Sequence, residues 1–152
     1  MSNWRRFWKL PAEEKTVLLR ALILLPLVRA GLRTLGWRRV QAALATGVRT
    51  SGALEGYDVA VMARARRTAR LVAAAAQWTG GTCLARSVVL AHILAGQGFP
   101  AELRIGVRNA DSKLEAHAWV EIGGTILNDG QDVTGRFAAF DRNFAAARVS
   151  WR

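Results

Sequence analysis

The chain has a single cysteine, Cys83, among 152 residues. That excludes an internal disulfide and any paired-cysteine metal knuckle, and it fits a reducing compartment. Histidine is nearly as scarce: only His92 and His117 occur, too few for a zinc site of ordinary composition. We therefore expect no metal and no cofactor. Long apolar runs are also missing. The most apolar stretch, Val17–Val28, is interrupted by Arg20 and Pro26 and falls short of the roughly 20 residues of a membrane span. It follows two glutamates and leads to no small-residue cleavage site, so it does not read as a secretory signal. The expected location is cytoplasmic.

Acidic residues are few, and unevenly so. The chain carries 22 Lys+Arg against 11 Asp+Glu, a net charge of +11. Residues 1–70 hold 14 of the basic residues and 4 of the acids, whereas residues 71–152 hold 8 and 7. The asymmetry points to two zones, a cationic one and a nearly neutral one. Trp4, Phe7 and Trp8 lie beside Arg5, Arg6 and Lys9. They could rest on an anionic membrane surface or pack on the following helix.

Apolar content of 51% and charged content of 22% are those of a globular chain. Pro11 with Glu13 and Glu14 marks a helix start, giving a helix over about 11–25 that kinks or stops at Pro26. A second helical piece covers about 27–46. Breaks follow at Thr50-Ser51-Gly52 and Glu55-Gly56-Tyr57. Asp58 caps a helix over about 59–77 with Arg64, Arg66, Arg67 and Arg70 on its polar side. Those arginines read as a solvated face, with an anion site as the alternative. After Gly80-Gly81-Thr82 a helix runs from Cys83 to about Ala95, ended by Gly96 and Gly98.

Beyond Phe99-Pro100 the period changes. Leu103, Ile105 and Val107 alternate with Arg104, Gly106 and Arg108, as in a half-buried strand. A polar turn at Asn109–Lys113 leads to a second strand, Leu114–Ile122. Gly123-Gly124 turns the chain into a third, Thr125–Asn128. Phe137, Phe140 and Phe144 are spaced for a short helix face, with Trp151 near the end. The expected fold class is α+β: an all-helical N-terminal region over 1–56, then a domain over 57–152 in which a cysteine-bearing helix packs on an antiparallel sheet.

Three residues carry candidate chemistry. A thiol at a helix N-terminus, as at Cys83, meets backbone N–H groups and the positive end of the dipole, which favour the nucleophilic form. The same N–H groups suit a developing oxyanion. His117 sits mid-strand in Glu115-Ala116-His117-Ala118-Trp119, and Asp129 ends Leu127-Asn128-Asp129. With a two-residue turn at 123–124, positions 117 and 130 oppose one another, so Asp129 reaches His117 given a bulge or twist. Cys–His–Asp would then act as nucleophile, general base and acid, and orienting carboxylate. Against this, a lone cysteine is ordinarily a small buried residue and a lone strand histidine ordinarily structural. Gln77, six residues before Cys83, is an oxyanion-hole candidate or a solvated side chain. Trp119 walls a cleft or belongs to the core. His92 lies about 13 Å along the helix from Cys83, too far for a catalytic part.

The stretch GTCLARSVVLAHILAGQGFPAELRIGVR, followed by EAHAWVEIGGTILND, resembles the transglutaminase-like cysteine peptidases of lasso-peptide biosynthesis, the B proteins that remove the leader from the lasso precursor. The similarity covers about 75–130. It implies a papain-like or transglutaminase-like core and assigns Cys83 as nucleophile, His117 as base and acid, and Asp129 as orienting group. In that family the leader-recognition domain, of winged-helix type, is either fused or a separate protein. Residues 1–60 show helical patterning without β-alternation, so the resemblance implies the split form. Its partners would be the precursor peptide, a separate recognition-element protein and an asparagine-synthetase-like cyclase. Leu22, Leu25 and Leu32 would then form a docking surface or cover the core. Two other readings stand beside this one. The same triad could transfer an acyl group to an amine, as in transglutaminases or arylamine acetyltransferases. Alternatively, residues 1–70 could make a non-enzymatic module for membrane or nucleic acid; the charge asymmetry supports this reading, the near-neutral half with its ordered triad does not, and no nucleic-acid partner is expected.

Overall fold

The computed structural model describes residue 8 and residues 10–44, 58–110 and 113–139. The expected breaks at 50–52 and 55–57, and the positions of Trp4, Phe7, Phe140, Phe144 and Trp151, lie outside them. Helix α1 spans Ala12–Thr34 and α2 spans Trp37–Leu44. Helix α3 is Val59–Thr79 and α4 is Cys83–Gly96. Strands β1 (Glu102–Ala110), β2 (Lys113–Ile122) and β3 (Thr125–Ile126) follow, then a four-residue helix α5 (Val133–Arg136) and a short strand β4 (Ala138–Ala139). The antiparallel sheet has the order β3-β2-β1-β4. The fold class is α+β with a helical N-terminal region, as the sequence patterning indicates.

Pro26 does not divide α1. Val17, Ala21, Leu25 and Val28 form one buried stripe on both sides of it, and that stripe packs on α3 and α4. Pro26 itself is exposed, so the Leu22 carbonyl it leaves without a donor can be met by water. Continuous packing therefore outweighs the local cost of proline. Leu25 is fully buried, while Leu22 and Leu32 pack at the edge of the same core.

Helix α3 presents small residues to its neighbours, Ala65, Thr68, Ala69, Val72, Ala75 and Ala76, which permits close approach. Asp58 caps its start by accepting from the Ala60 N–H at 3.3 Å. At the far end Arg29 of α1 donates to the Gly80 carbonyl at 2.9 Å. Arg67 pairs with Glu14, and Arg64 lies over the Phe99 ring at 6.0 Å. Arg66 and Arg70 are exposed.

Helix α4 is the central element. Ala85, Ser87, Val88, Val89, Leu90, Ala91, Ile93 and Leu94 are all buried, the pattern of a helix covered on nearly every side. Val120 and Ile122 of β2 join the helical core. Trp119 points to the opposite face of the sheet, where it clusters with Ile126, Val133 and Phe137. The sheet thus has helices on one face and the α5–β4 segment on the other.

The β2–β3 turn is two residues long. Gly123 and Gly124 both take positive φ, 54° and 79°, as a tight hairpin turn of this twist requires. Two expectations fail beyond it. The third strand ends at Ile126 rather than Asn128. Phe137 is not on a helix face: it caps α5 in extended conformation and leads into β4, which pairs with Gly106 and Val107 of β1. A free sheet edge, invisible to local periodicity, decides that conformation.

Burial sets the expected energetics along α1. Leu25→Ala should lower the free energy of unfolding by about 2–5 kcal/mol. Ile23→Ala, on the exposed side of the same helix, should change it by less than about 0.5 kcal/mol. Urea denaturation of the two variants measures the contrast.

Candidate active site

The geometry of the site begins where β3 stops. The Leu127 N–H still bonds to the Val120 carbonyl at 3.0 Å. The next ladder position is then taken by a side chain: Asn128 Oδ1 accepts from the Val120 N–H at 2.8 Å. The main chain is released from β2 at that point. In an unbroken ladder Asp129 would oppose Ala118 and face away from His117, because side chains alternate across a strand. Release of the chain turns Asp129 to the ring. The bulge or twist foreseen from the sequence is in fact an early end to the strand.

The edge of β2 left open is filled by α4. Ser87, fully buried, donates to the Ala118 carbonyl at 2.8 Å and accepts from Asn128 Nδ2 at 2.8 Å. Arg86 Nη2 donates to the Asn128 carbonyl at 3.3 Å. Cys83 lies one helical turn before Ser87, and residues four apart share a helix face. The first turn of α4 therefore lies along the segment that carries His117 and Asp129. Cys83 is half-buried there. Thr82 caps the turn by accepting from the Ala85 N–H at 3.3 Å.

His117 Nε2 is hydrogen-bonded to Asp129 Oδ2. With Nε2 turned to the carboxylate, Nδ1 is the ring nitrogen left for another partner. The ring stacks on Phe137, with centroids 5.1 Å apart, and runs alongside Trp119 at 6.4 Å. Trp119 belongs to the core: it has no exposed surface, and its indole N–H donates to Glu121 at 2.7 Å. Glu121 in turn is paired with Arg104 at 3.2 Å. The second oxygen of Asp129 accepts from the Gly130 N–H at 2.7 Å and from Arg136 at 3.2 Å. Arg136 also pairs with Asp132 at 2.9 Å.

Burial pushes the Asp129 carboxyl up. The hydrogen bonds from His117 and Gly130 and the positive charges of His117 and Arg136 outweigh that effect and hold it below its ordinary value of 3.8.

Gly106 pairs with His117 across β1 and β2. A Cβ there would meet Trp119 at 2.9 Å, the Ala138 carbonyl at 3.0 Å and Phe137 Cβ at 3.0 Å. Its lack of a side chain lets Phe137 and Trp119 close around the imidazole.

The remaining candidates lie elsewhere. Gln77 is on the exposed face of α3. His92 Nδ1 faces the Leu44 carbonyl at 3.5 Å, at the α2 side of α4. Among the described residues, no three or more His, Cys, Asp or Glu side chains are grouped to hold a metal ion. No described helix is long and apolar enough to cross a membrane. Sequence reasoning missed Ser87, Asn128, Arg136 and the part played by Gly106. Ser87 had one signal: it is a lone hydroxyl in an otherwise apolar helical stretch, and a buried hydroxyl needs partners.

The half-buried carboxylate–imidazole pair stands on the strand and loop to which the cysteine-bearing helix is hydrogen-bonded, within an α+β fold. The profile of the transglutaminase-like superfamily matches residues 21–141. The chain belongs to that superfamily, whose members are typically cysteine-dependent enzymes. No curated protein and no solved structure matches it.

Two outcomes follow from the site. Ser87→Ala leaves the Ala118 carbonyl and the Asn128 amide each short of a partner, and should cost about 1–3 kcal/mol in chemical denaturation. Asp129 has its carboxyl pKa lowered by folding, so its stabilising effect is complete above the ordinary value of 3.8. That effect is lost as pH falls through the lower folded value. The melting temperature of Asp129→Asn should therefore fall less steeply than that of the parent below about pH 4.

Proposed function

We propose that this chain is a cysteine peptidase that removes the leader from a lasso-peptide precursor, acting with a separate leader-recognition protein. One observation carries the reading: the His117–Asp129 hydrogen bond is made between a strand and a loop that are both bonded, through Ala118 and Asn128, to Ser87 and Arg86 of the helix that Cys83 begins. The resemblance of the segments around Cys83, His117 and Asp129 to lasso leader peptidases supplies the substrate class. Membership of the transglutaminase-like superfamily agrees with the coarser reading, a cysteine-dependent enzyme.

In the proposed reaction the Cys83 thiolate attacks the carbonyl carbon of the leader–core bond. N–H groups at the start of α4 stabilise the oxyanion. The C–N bond breaks as His117 delivers its proton to the departing core amine, leaving a thioester on the leader. His117 then takes a proton from water, and the resulting hydroxide releases the leader as a carboxylic acid. Asp129 holds the imidazole in the tautomer that leaves Nδ1 for the thiol. An asparagine-synthetase-like cyclase would use the freed amine. The recognition protein is proposed as a separate chain because the resemblance is to the split form; residues 12–34 and 37–44 are helices that pack on the core.

The family's description also favours a second reading, in which an amine rather than water accepts the acyl group. Mass spectrometry of precursor incubated with recognition protein and enzyme separates the two. Hydrolysis gives a free leader acid and a free core, whereas transfer gives a leader carrying the amine. Cys83→Ala should abolish product, and Asp129→Asn should slow its formation by about 10²–10⁴. Unchanged cleavage by Cys83→Ala would overturn the proposal.

A further inference from the structure

Helix α1 has a second apolar face that the core does not use. Leu19, Ile23 and Leu27 are 50%, 60% and 61% exposed. At four-residue spacing they form a ridge about 12 Å long. The ridge lies opposite the stripe that Val17, Ala21, Leu25 and Val28 bury, and exposed Ala30 and Thr16 extend it. Exposed aliphatic side chains grouped in this way mark a contact surface.

Charge distinguishes among possible occupants. From Lys15 to Leu44 there are six basic residues and no acid. By helical position Arg20 flanks the ridge on one side, with Lys15 and Arg33 on the other. Arg38 and Arg39 of α2 are exposed as well. Trp8, 60% exposed, lies over Lys15 at 5.7 Å near the start of α1. Indole rings favour the boundary between water and lipid. Shape points the same way. The three side chains stand out from the exposed, convex side of one helix among the described residues. A fluid lipid layer accepts a convex ridge without a shaped counterpart.

We propose that the exposed face of α1 docks on an anionic lipid surface, with Leu19, Ile23 and Leu27 entering the headgroup–acyl boundary and Lys15, Arg20 and Arg33 meeting lipid phosphates. The inference is independent of the reaction at Cys83. Docking this face would hold the enzyme at a membrane while the His117 site, built on β2 and the 127–137 segment, is carried by other elements.

The test is co-sedimentation of the full chain with vesicles of phosphatidylcholine plus phosphatidylglycerol, and with phosphatidylcholine alone. The parent should pellet with the anionic vesicles, pellet far less with the neutral ones, and be released by high salt. Ile23→Ser/Leu27→Ser should weaken partitioning by about tenfold or more per residue without changing the melting temperature. Arg20→Glu/Arg33→Glu should weaken it while leaving the ridge intact. Four results would overturn the proposal. They are failure of the parent to pellet, undiminished pelleting of the ridge variant, and a large fall in its melting temperature, which would mean the ridge is covered by the chain itself. The fourth is a dimer in sedimentation velocity that the ridge substitutions dissolve, which would make a second copy the occupant.

Discussion

The site depends on how one strand edge is satisfied after its neighbour leaves. Strand β2 is buried from Ala118 to Ile122, and buried backbone donors and acceptors must be paired. A third strand running to residue 128 would do this with main-chain bonds and would turn Asp129 away from His117. Side chains do it instead: Asn128 takes the Val120 N–H, and Ser87 takes the Ala118 carbonyl. The bond between those two side chains links strand, loop and helix in one unit. The pairing that keeps the sheet edge tolerable in a low-dielectric interior is the same pairing that ties the helix of Cys83 to the strand that carries His117. Stability and site geometry therefore share their hydrogen bonds.

The imidazole is held from several directions. Asp129 fixes one nitrogen, and the rings of Phe137 and Trp119 limit the plane of the ring. Arg136 and the Gly130 N–H fix the carboxylate by its other oxygen. Trp119 is itself anchored through Glu121 to Arg104. Gly106 is the permissive element: the closeness of Trp119, Phe137 and Ala138 leaves no space for even a methyl group. A group whose neighbours are tied in this way keeps its orientation without reorganising when charge develops beside it.

Much of this was legible in sequence because the relevant signals are local. The helix of Cys83 shows in the Gly80-Gly81-Thr82 break before it and its terminal glycines, β1 and β2 in alternation, and the hairpin in Gly123-Gly124. The paired positions of His117 and residues near 129 follow from counting across that turn. What was not legible is non-local. Pro26 reads as a breaker until the buried stripe on both sides of it is known. The Asn128 amide reads as a loop residue until its bond to Val120 is seen. Strand β4 is two residues long and exists only because β1 offers an edge at Gly106 and Val107. Arg136 acts on Asp129 across seven residues and a turn that no periodicity describes.

Helix α1 shows why hydrophobic content alone could not assign the N-terminal part. Its leucines, isoleucine and valines divide between two faces. One face is needed by the core: removing Val17, Ala21, Leu25 and Val28 would expose α3 and α4 together. The other face satisfies no packing requirement among the described residues. Exposed aliphatic side chains gain nothing for the folded chain and add to the risk of association. Single exposed leucines need no explanation, but three in register on an acid-free, arginine-flanked helix form a surface with a definite chemical preference. That preference is for something both apolar and anionic, a combination that a lipid headgroup region provides more fully than bulk water or a neutral protein face.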